Sequence, residues 1–315
     1  SPDGKTYTFH LRTNASWTNG DPVTAEDFRY AWIRALRPET GCEYASQLYP
    51  ISNARSFNEG HNNDAEAVGI AVINRSTLRV TLQNPPPCFL DLCAFPTYLP
   101  VHRRTVEEHP DWATQTSRFV GNGPYLFKEW RLFDRVRLEK NPKYWDAENV
   151  RLQSIDILPA SRPTTAFNLY ATGQVDLMMD KGLTPTALID ELRKRHDFHS
   201  GPFLGNYFIR YNLTRTHLAD PRVRRALSLA FDKERITSKI TRAGETPAHS
   251  FVPPGTGRGY MPPTAPSRNL DQARALLAEA GHPGGKGMPV LTYLFRGESD
   301  IDRDIAVELQ RTLEE

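Results

Sequence analysis

The stretch NASWTNGDPVTAEDFRYAWIRAL, residues 14–36, constrains the fold of this chain more than any other segment. Asn19 and Gly20 form a turn pair and Pro22 stiffens the way out of it. A helix start follows at once. Thr24 is a good N-cap, Asp27 stands three positions on as a short variant of the capping box, and Val23 and Phe28 occupy the two positions of a hydrophobic staple. Glu26 and Asp27 set negative charge against the positive end of the helix dipole. Phe28, Trp32, Ala35 and Leu36 then recur at helical spacing, and Pro38 closes the element. The aromatic stripe reads as core, so the stretch is scaffold rather than site. Just before it, TYTFHLR alternates, with Tyr7, Phe9 and Leu11 on one face of a half-buried strand and His10 on the solvated face.

Further along, GIAVI (69–73) and TLRVTL (77–82) flank a short turn and read as a hairpin. Prolines 85–87 precede an apolar segment predicted to be helical, and a polar helix with His109, Pro110 and Trp112 is predicted after residue 100. GNGPYLFKEW (121–130), DRVRLEKNPKYWD (134–146) and QSIDILP (153–159) read as strands. Residues 164–179 are predicted to form a helix closed by Gly173 and then a short buried strand. TPTALIDELRKR reads as a helix capped by Thr184 with Pro185 at its first position. A strand over 206–214 follows, then a helix pair capped by Asp220 with Val223, Leu227 and Phe231 as its stripe. A helix ended by Gly281, a strand over 290–295 and a last helix complete the pattern. Helices and strands mix throughout, which defines an α/β chain of mixed α+β character.

The 315 residues allow two or three domains. The 39 basic and 37 acidic residues are spread along the chain, unlike the clustered Lys and Arg of a nucleic-acid binder. Cys42, Cys88 and Cys93 are too few and wrongly spaced for a disulfide framework or a zinc site, and read as small buried side chains. Prolines bracket the glycines of PPGTGRGYMPP (253–263), so this is a stiff loop rather than a dinucleotide fingerprint, and GHPGGKGM (281–288) has the wrong spacing for a phosphate loop. The nine histidines form no HExxH pair, and no GxSxG elbow is present. Arg222, Arg224 and Arg225 read as a solvated face. No cofactor, metal or catalytic constellation is expected, which shifts weight from enzyme to binding protein.

Four stretches carry a family resemblance: YTFHLRTNASWTNGDPVTAEDFRYAWIRAL, GNGPYLFKEWRLFDRVRLEKNPKYWD, LYATGQVDLM and DPRVRRALSLAFDKERI. In order and spacing the chain resembles the family-5 extracellular solute-binding proteins, the oligopeptide- and dipeptide-binding subunits of bacterial ABC importers. The resemblance runs over essentially all of the chain. It implies a two-lobe fold like the type II periplasmic binding proteins, with an extra small domain, incomplete at both ends, since SPDGK starts in the run-up to a strand and the last residues stop within a helical pattern. Residues 1–102 would be the small domain, 103–204 part of the first lobe and 205–315 the start of the second.

The implied function is capture of short peptides between two closing lobes and delivery to membrane permease subunits. The implied protein is a monomer, periplasmic or lipid-anchored at the outer face of the envelope, with neither enzymatic activity nor a nucleic-acid partner. By the same resemblance Tyr44, in EYASQL, lines the cleft. Asn206, Tyr207 and Phe208 lie where the chain enters the second lobe. Arg242 stands near the place of a lysine that contacts ligand in some relatives. The acidic residue that takes the peptide amine belongs to a part of the family pattern not present in this sequence. Two alternatives stay open: a ligand-sensing module of a regulator on the same fold, or a binder of a nickel chelate, haem or oligosaccharide.

Overall fold

The computed structural model describes residues 1–201, 203–257, 259–263, 267–297 and 300–314. The chain divides into two compact units, Ser1–Pro159 and Ala160–Glu315. All strand pairings among the described residues are antiparallel.

In the first unit, β1 (Thr6–His10), β2 (Ile70–Asn74) and β3 (Thr77–Thr81) form a sheet of order β1-β3-β2. The β2–β3 hairpin stands where the alternation predicts it, with the Asn74 side chain accepting from the Ser76 amide at 3.0 Å. The register sets Tyr7 opposite Val80 and Phe9 opposite Leu78. Helix α1 (Ala25–Leu36) buries Trp32 and Leu36 in the same core as Leu78 and Val80, with Phe28 and Ala35 half-buried at its margin. Its capping box is made by one carboxylate: Asp27 Oδ2 accepts from the Thr24 amide at 2.7 Å and from the Thr24 hydroxyl at 2.9 Å. Short helices α2 (Ala54–Asn58) and α3 (Phe89–Leu92) close the core with Phe57 and Phe89.

Helix α4 (Arg103–Glu108) ends earlier than predicted, so Pro110 and Trp112 lie beyond it. His109 precedes a proline, and the proline ring crowds a helical conformation at that position. The three cysteines are free thiols, but none is fully buried, contrary to the reading from composition. Cys88 is exposed, and Cys42 and Cys93 are partly covered. Burial nonetheless pushes the Cys93 thiol up to about 11.

The second sheet of this unit, β4 (Tyr125–Arg131), β5 (Arg135–Lys140) and β6 (Ser154–Ile157), is a meander in chain order. The turn at residues 16–21 ties it to the rest of the unit. The Thr18 amide donates to the Gly121 carbonyl at 2.8 Å, the Gly121 amide donates back to Thr18 Oγ1 at 3.3 Å, and Ser16 Oγ donates to the Lys143 carbonyl at 3.2 Å.

In the second unit, α5 (Pro163–Ala171) ends as predicted. Gly173 takes a left-handed φ of 73° and its amide bonds the Tyr170 carbonyl, while the Gln174 amide bonds that of Leu169. The buried strand predicted next does not form, and Met179 is 85% exposed. The helix predicted from Thr184 is instead a 3-10 turn, Thr186–Leu188, leading into the four-residue α6 (Ile189–Leu192). After α7 (Thr216–Ala219) comes α8 (Pro221–Ala230), capped by the Asp220 carboxylate, which accepts from the Arg222 amide at 2.8 Å. Phe231 falls outside the predicted stripe because α8 stops at Ala230 and Phe231 is extended.

Helix α9 (Lys233–Arg235) continues as a π-helical turn, Ile236–Thr241. Helix α10 (Leu270–Glu279) packs Ala273 against Ala226, Leu229 and Ala230 of α8, and α11 (Asp300–Glu314) ends the described chain. Arg222 and Arg224 are more than a solvated face. Their guanidinium groups donate to the Glu279 carbonyl at 2.7 Å and to the Leu218 and Ala219 carbonyls at 2.8 Å, satisfying helix C-termini. The strands predicted at 206–214 and 290–295 are not formed, and residues 206–211 and 290–295 make no backbone–backbone hydrogen bond among the described residues. Both segments carry strand-forming residues, but a strand exists only when a neighbour completes its ladder. Within the predicted stiff loop at 253–263 no regular element forms, and Arg258 lies outside the described residues.

Gly69 shows how tightly the first unit closes. A Cβ there would stand 2.4 Å from the Thr81 carbonyl oxygen, a backbone atom with nowhere to go. Gly69→Ala is therefore expected to lower stability by about 1–3 kcal/mol, read from the urea midpoint at unchanged slope.

Candidate functional site

The predicted ligand contacts fall in both units: Tyr44 in the first, Asn206, Tyr207, Phe208 and Arg242 in the second. Tyr44 is placed by a buried aromatic support. Trp32 Nε1 donates to the Tyr98 carbonyl at 2.8 Å, and the two rings meet edge-on at 5.0 Å. Tyr98, 1% exposed, donates its hydroxyl to the Gln47 carbonyl at 2.7 Å. Burial holds its phenol well above the usual tyrosine range, so the hydroxyl stays a donor. That bond fixes the 3-10 turn Ala45–Leu48, whose Ala45 and Leu48 are buried. Tyr44 heads this turn with its ring 5.3 Å from Phe95 and 54% of its surface exposed. An exposed aromatic on a rigid base can stack on an apolar group or offer its hydroxyl to a main chain.

Residues 206–208 alternate as an extended chain must. The Asn206 side-chain amide donates to the Ser250 carbonyl at 2.8 Å and also to the Phe251 carbonyl. Phe208 meets the Phe251 ring at 5.0 Å, and the Arg210 guanidinium lies 5.4 Å from the Phe208 ring centre. Tyr207 turns the other way and pairs its hydroxyl with that of Tyr293 at 2.9 Å. Burial first, and the Tyr293 contact second, raise the Tyr207 phenol above its ordinary range. Asn206 and Phe208 thus share one patch with the 250–251 turn, while Tyr207 joins 290–295. Sequence reasoning missed Phe251 and Tyr293; the alternation of LTYLF was a signal for the second, and nothing local marked the first.

Arg242 belongs to a separate cluster. It ends the π-helical turn with a left-handed φ of 56°, and its amide bonds the Thr237 carbonyl at 3.0 Å. Its guanidinium is ion-paired with Asp190 at the start of α6, and its carbonyl accepts from Arg193 Nη2 at 2.6 Å. Thr237, Ser238, Lys239 and Gly244 line the open hollow beside it. A guanidinium carries five N–H donors, so Arg242 can take a second carboxylate while holding Asp190.

The other notable hollow, lined by Asp27, His102 and residues 103, 104, 107 and 108, is scaffold. Its ion pairs, Arg103–Glu107 and Arg104–Glu108, are closed at 2.9 Å. His102 is buried. Its Nδ1 accepts from the Thr105 amide at 3.3 Å, capping α4, and its Nε2 lies 3.0 Å from Asp21. The Asn19 amide and then His102 hold the Asp21 carboxyl below its ordinary range. Among the described residues no helix is long and apolar enough to cross a membrane.

The mixed fold of helices and strands is that of the type II periplasmic binding proteins. The Haemophilus influenzae protein OppA, solved in complex with RPPGFSPFR, matches it with a TM-score of 0.86 at 29% identity, covering 100% of this chain and 63% of that one. The family model for bacterial extracellular solute-binding proteins, family 5 Middle, matches residues 1–315, and the chain belongs to that family. The oligopeptide-binding protein OppA of Bacillus subtilis is 37% identical over 262 residues, 82% of this chain and 48% of that protein. The periplasmic oligopeptide-binding protein OppA of Salmonella typhimurium is 35% identical over 314 residues, 97% of this chain and 57% of that protein. The chain thus spans about half the length of the relatives it matches.

The Tyr44 support makes a contrast that denaturation can read. Tyr98→Phe leaves the Gln47 carbonyl without its buried donor and is expected to cost about 1–2 kcal/mol. Tyr44→Ala, at an exposed position, is expected to stay within roughly 0.5 kcal/mol of the parent.

Proposed function

We propose that this chain forms part of an extracytoplasmic receptor that captures short peptides between two closing lobes and hands them to the permease subunits of an ABC importer. The observation that carries this reading is the family match over all 315 residues, joined to relatives named for oligopeptide binding. The receptor is a binding protein without enzymatic activity. It acts as a monomer, in the periplasm or lipid-anchored at the outer face of the envelope. In the family's division, residues 1–102 are the small domain, 103–204 part of the first lobe and 205–315 the start of the second.

Each candidate residue has a role in this reading. Residues 206–208 present an extended backbone to which a peptide main chain adds by hydrogen bonds, which is indifferent to side-chain identity. Tyr44 supplies an aromatic wall. Arg242, with spare donors beside Asp190, takes the peptide carboxylate, and a closed, partly dry cleft strengthens that ion pair while desolvation offsets part of the gain.

The test uses protein expressed from the complete reading frame, a pool of short peptides, calorimetry and native mass spectrometry. Retained peptide is expected, and Tyr44→Ala is expected to weaken binding roughly three- to tenfold. Protein that retains no peptide, with no heat of binding, would contradict the reading.

A further inference from the structure

The turn between β4 and β5 spends conformational energy on an exposed aromatic residue. The Asp134 amide donates to the Arg131 carbonyl at 3.1 Å and closes a four-residue turn with Leu132 and Phe133 at its centre. Phe133 takes a φ of 61°, a left-handed conformation that turns of this kind reserve for glycine or asparagine. A bulky side chain there is an outlier in backbone terms. The ring gains nothing from the unit in return, being 89% exposed, with Leu132 beside it at 70%. Two independent costs, left-handed backbone and bare apolar surface, fall on the same residue, and strain of this sort clusters at functional sites.

The surroundings of the tip indicate what it meets. Trp130, also exposed, stands just behind the apex on β4. Arg131 and Arg135 flank it, and Glu129 lies between them, 2.6 Å from the Arg131 Nε and 3.2 Å from that of Arg135. From the apex inward come Leu132 and Phe133, then an indole with two guanidinium groups, while the Asp134 carboxylate at the edge of the turn lies 3.6 Å from Arg131 Nη1. Lipid interfaces sort side chains in this order, with apolar groups in the acyl region and Trp and Arg at the headgroups. A convex apex of two residues is also far smaller than a specific protein–protein interface requires. Because Glu129 and Asp134 together balance Arg131 and Arg135, apolar insertion and not net charge provides the attraction.

We propose that the Leu132–Phe133 tip is a membrane-contacting anchor that inserts into the outer face of a phospholipid bilayer. One such element gives weak, reversible attachment, suited to a protein that must also leave the surface. The assignment is independent of which solute the protein carries.

The test is sedimentation with phosphatidylethanolamine–phosphatidylglycerol vesicles, using protein from the complete reading frame without any lipid attachment. The parent is expected to co-sediment, and Phe133→Gly to lower the partition coefficient about tenfold or more. Phe133→Trp is expected to retain partitioning. Because glycine relieves the left-handed backbone, the thermal midpoint of Phe133→Gly is expected to equal or exceed that of the parent. The proposal is overturned by a parent that ignores vesicles, by a Phe133→Gly variant that partitions like the parent, or by vesicle-independent self-association of the parent that Phe133→Gly abolishes. A lowered midpoint for Phe133→Gly would also overturn it, by showing that the ring packs against another part of the protein.

Discussion

A single carboxylate oxygen organises the first unit. Asp27 Oδ2 accepts from the Thr24 amide at 2.7 Å, from the Thr24 hydroxyl at 2.9 Å and from the Trp17 indole at 3.4 Å. The first two contacts start α1. The third binds that start to the Asn-Gly turn, where Trp17 is fully buried and meets the ring of His102 edge-on at 5.4 Å. From the same turn run the bonds to Gly121 and Lys143 that join the second sheet. Helix, turn and second sheet therefore share one joint, and each polar group named in it has a partner, as burial demands.

Tyr44 inherits its placement from that joint. Once α1 is set, Trp32 meets Tyr98, Tyr98 holds the Gln47 carbonyl, and the turn of residues 45–48 presents Tyr44 outward. This is a buried, hydrogen-bonded support carrying an exposed candidate residue. In the proposed receptor such a division would let the ligand wall change without disturbing the core. In the second unit Asn206 and Tyr207 rest on side-chain bonds from extended segments, such as Asn206 to the 250–251 turn, while Arg242 ends a π-helical turn.

What the sequence made legible follows the range of the interactions. The start of α1, the Asp220 cap, the Gly173 and Gly281 helix ends and the β2–β3 hairpin are decided within a few residues, and each stands where its pattern placed it. The segments at 206–214 and 290–295 have strand-like composition, yet pairing is a property of a neighbour and not of the segment. Partnerships across long separations were equally hidden. Tyr207 and Tyr293 are 86 residues apart, and Arg242 and Asp190 are 52 apart. The roles of Arg222 and Arg224 depend on where other helices end, which no local pattern reveals. The family itself was legible because its marker stretches are scaffold, built from the short-range rules that sequence displays best.

Hydrogen exchange followed by mass spectrometry, on the complete protein with and without a bound peptide, tests the central claim most directly. The account expects added protection over residues 42–49 and 205–211, around Tyr44 and Asn206–Phe208. It expects none over 14–36, where the joint already keeps exchange slow in both states. Protection gained chiefly within 14–36, or no gain at 42–49 and 205–211, would contradict the separation of scaffold from site.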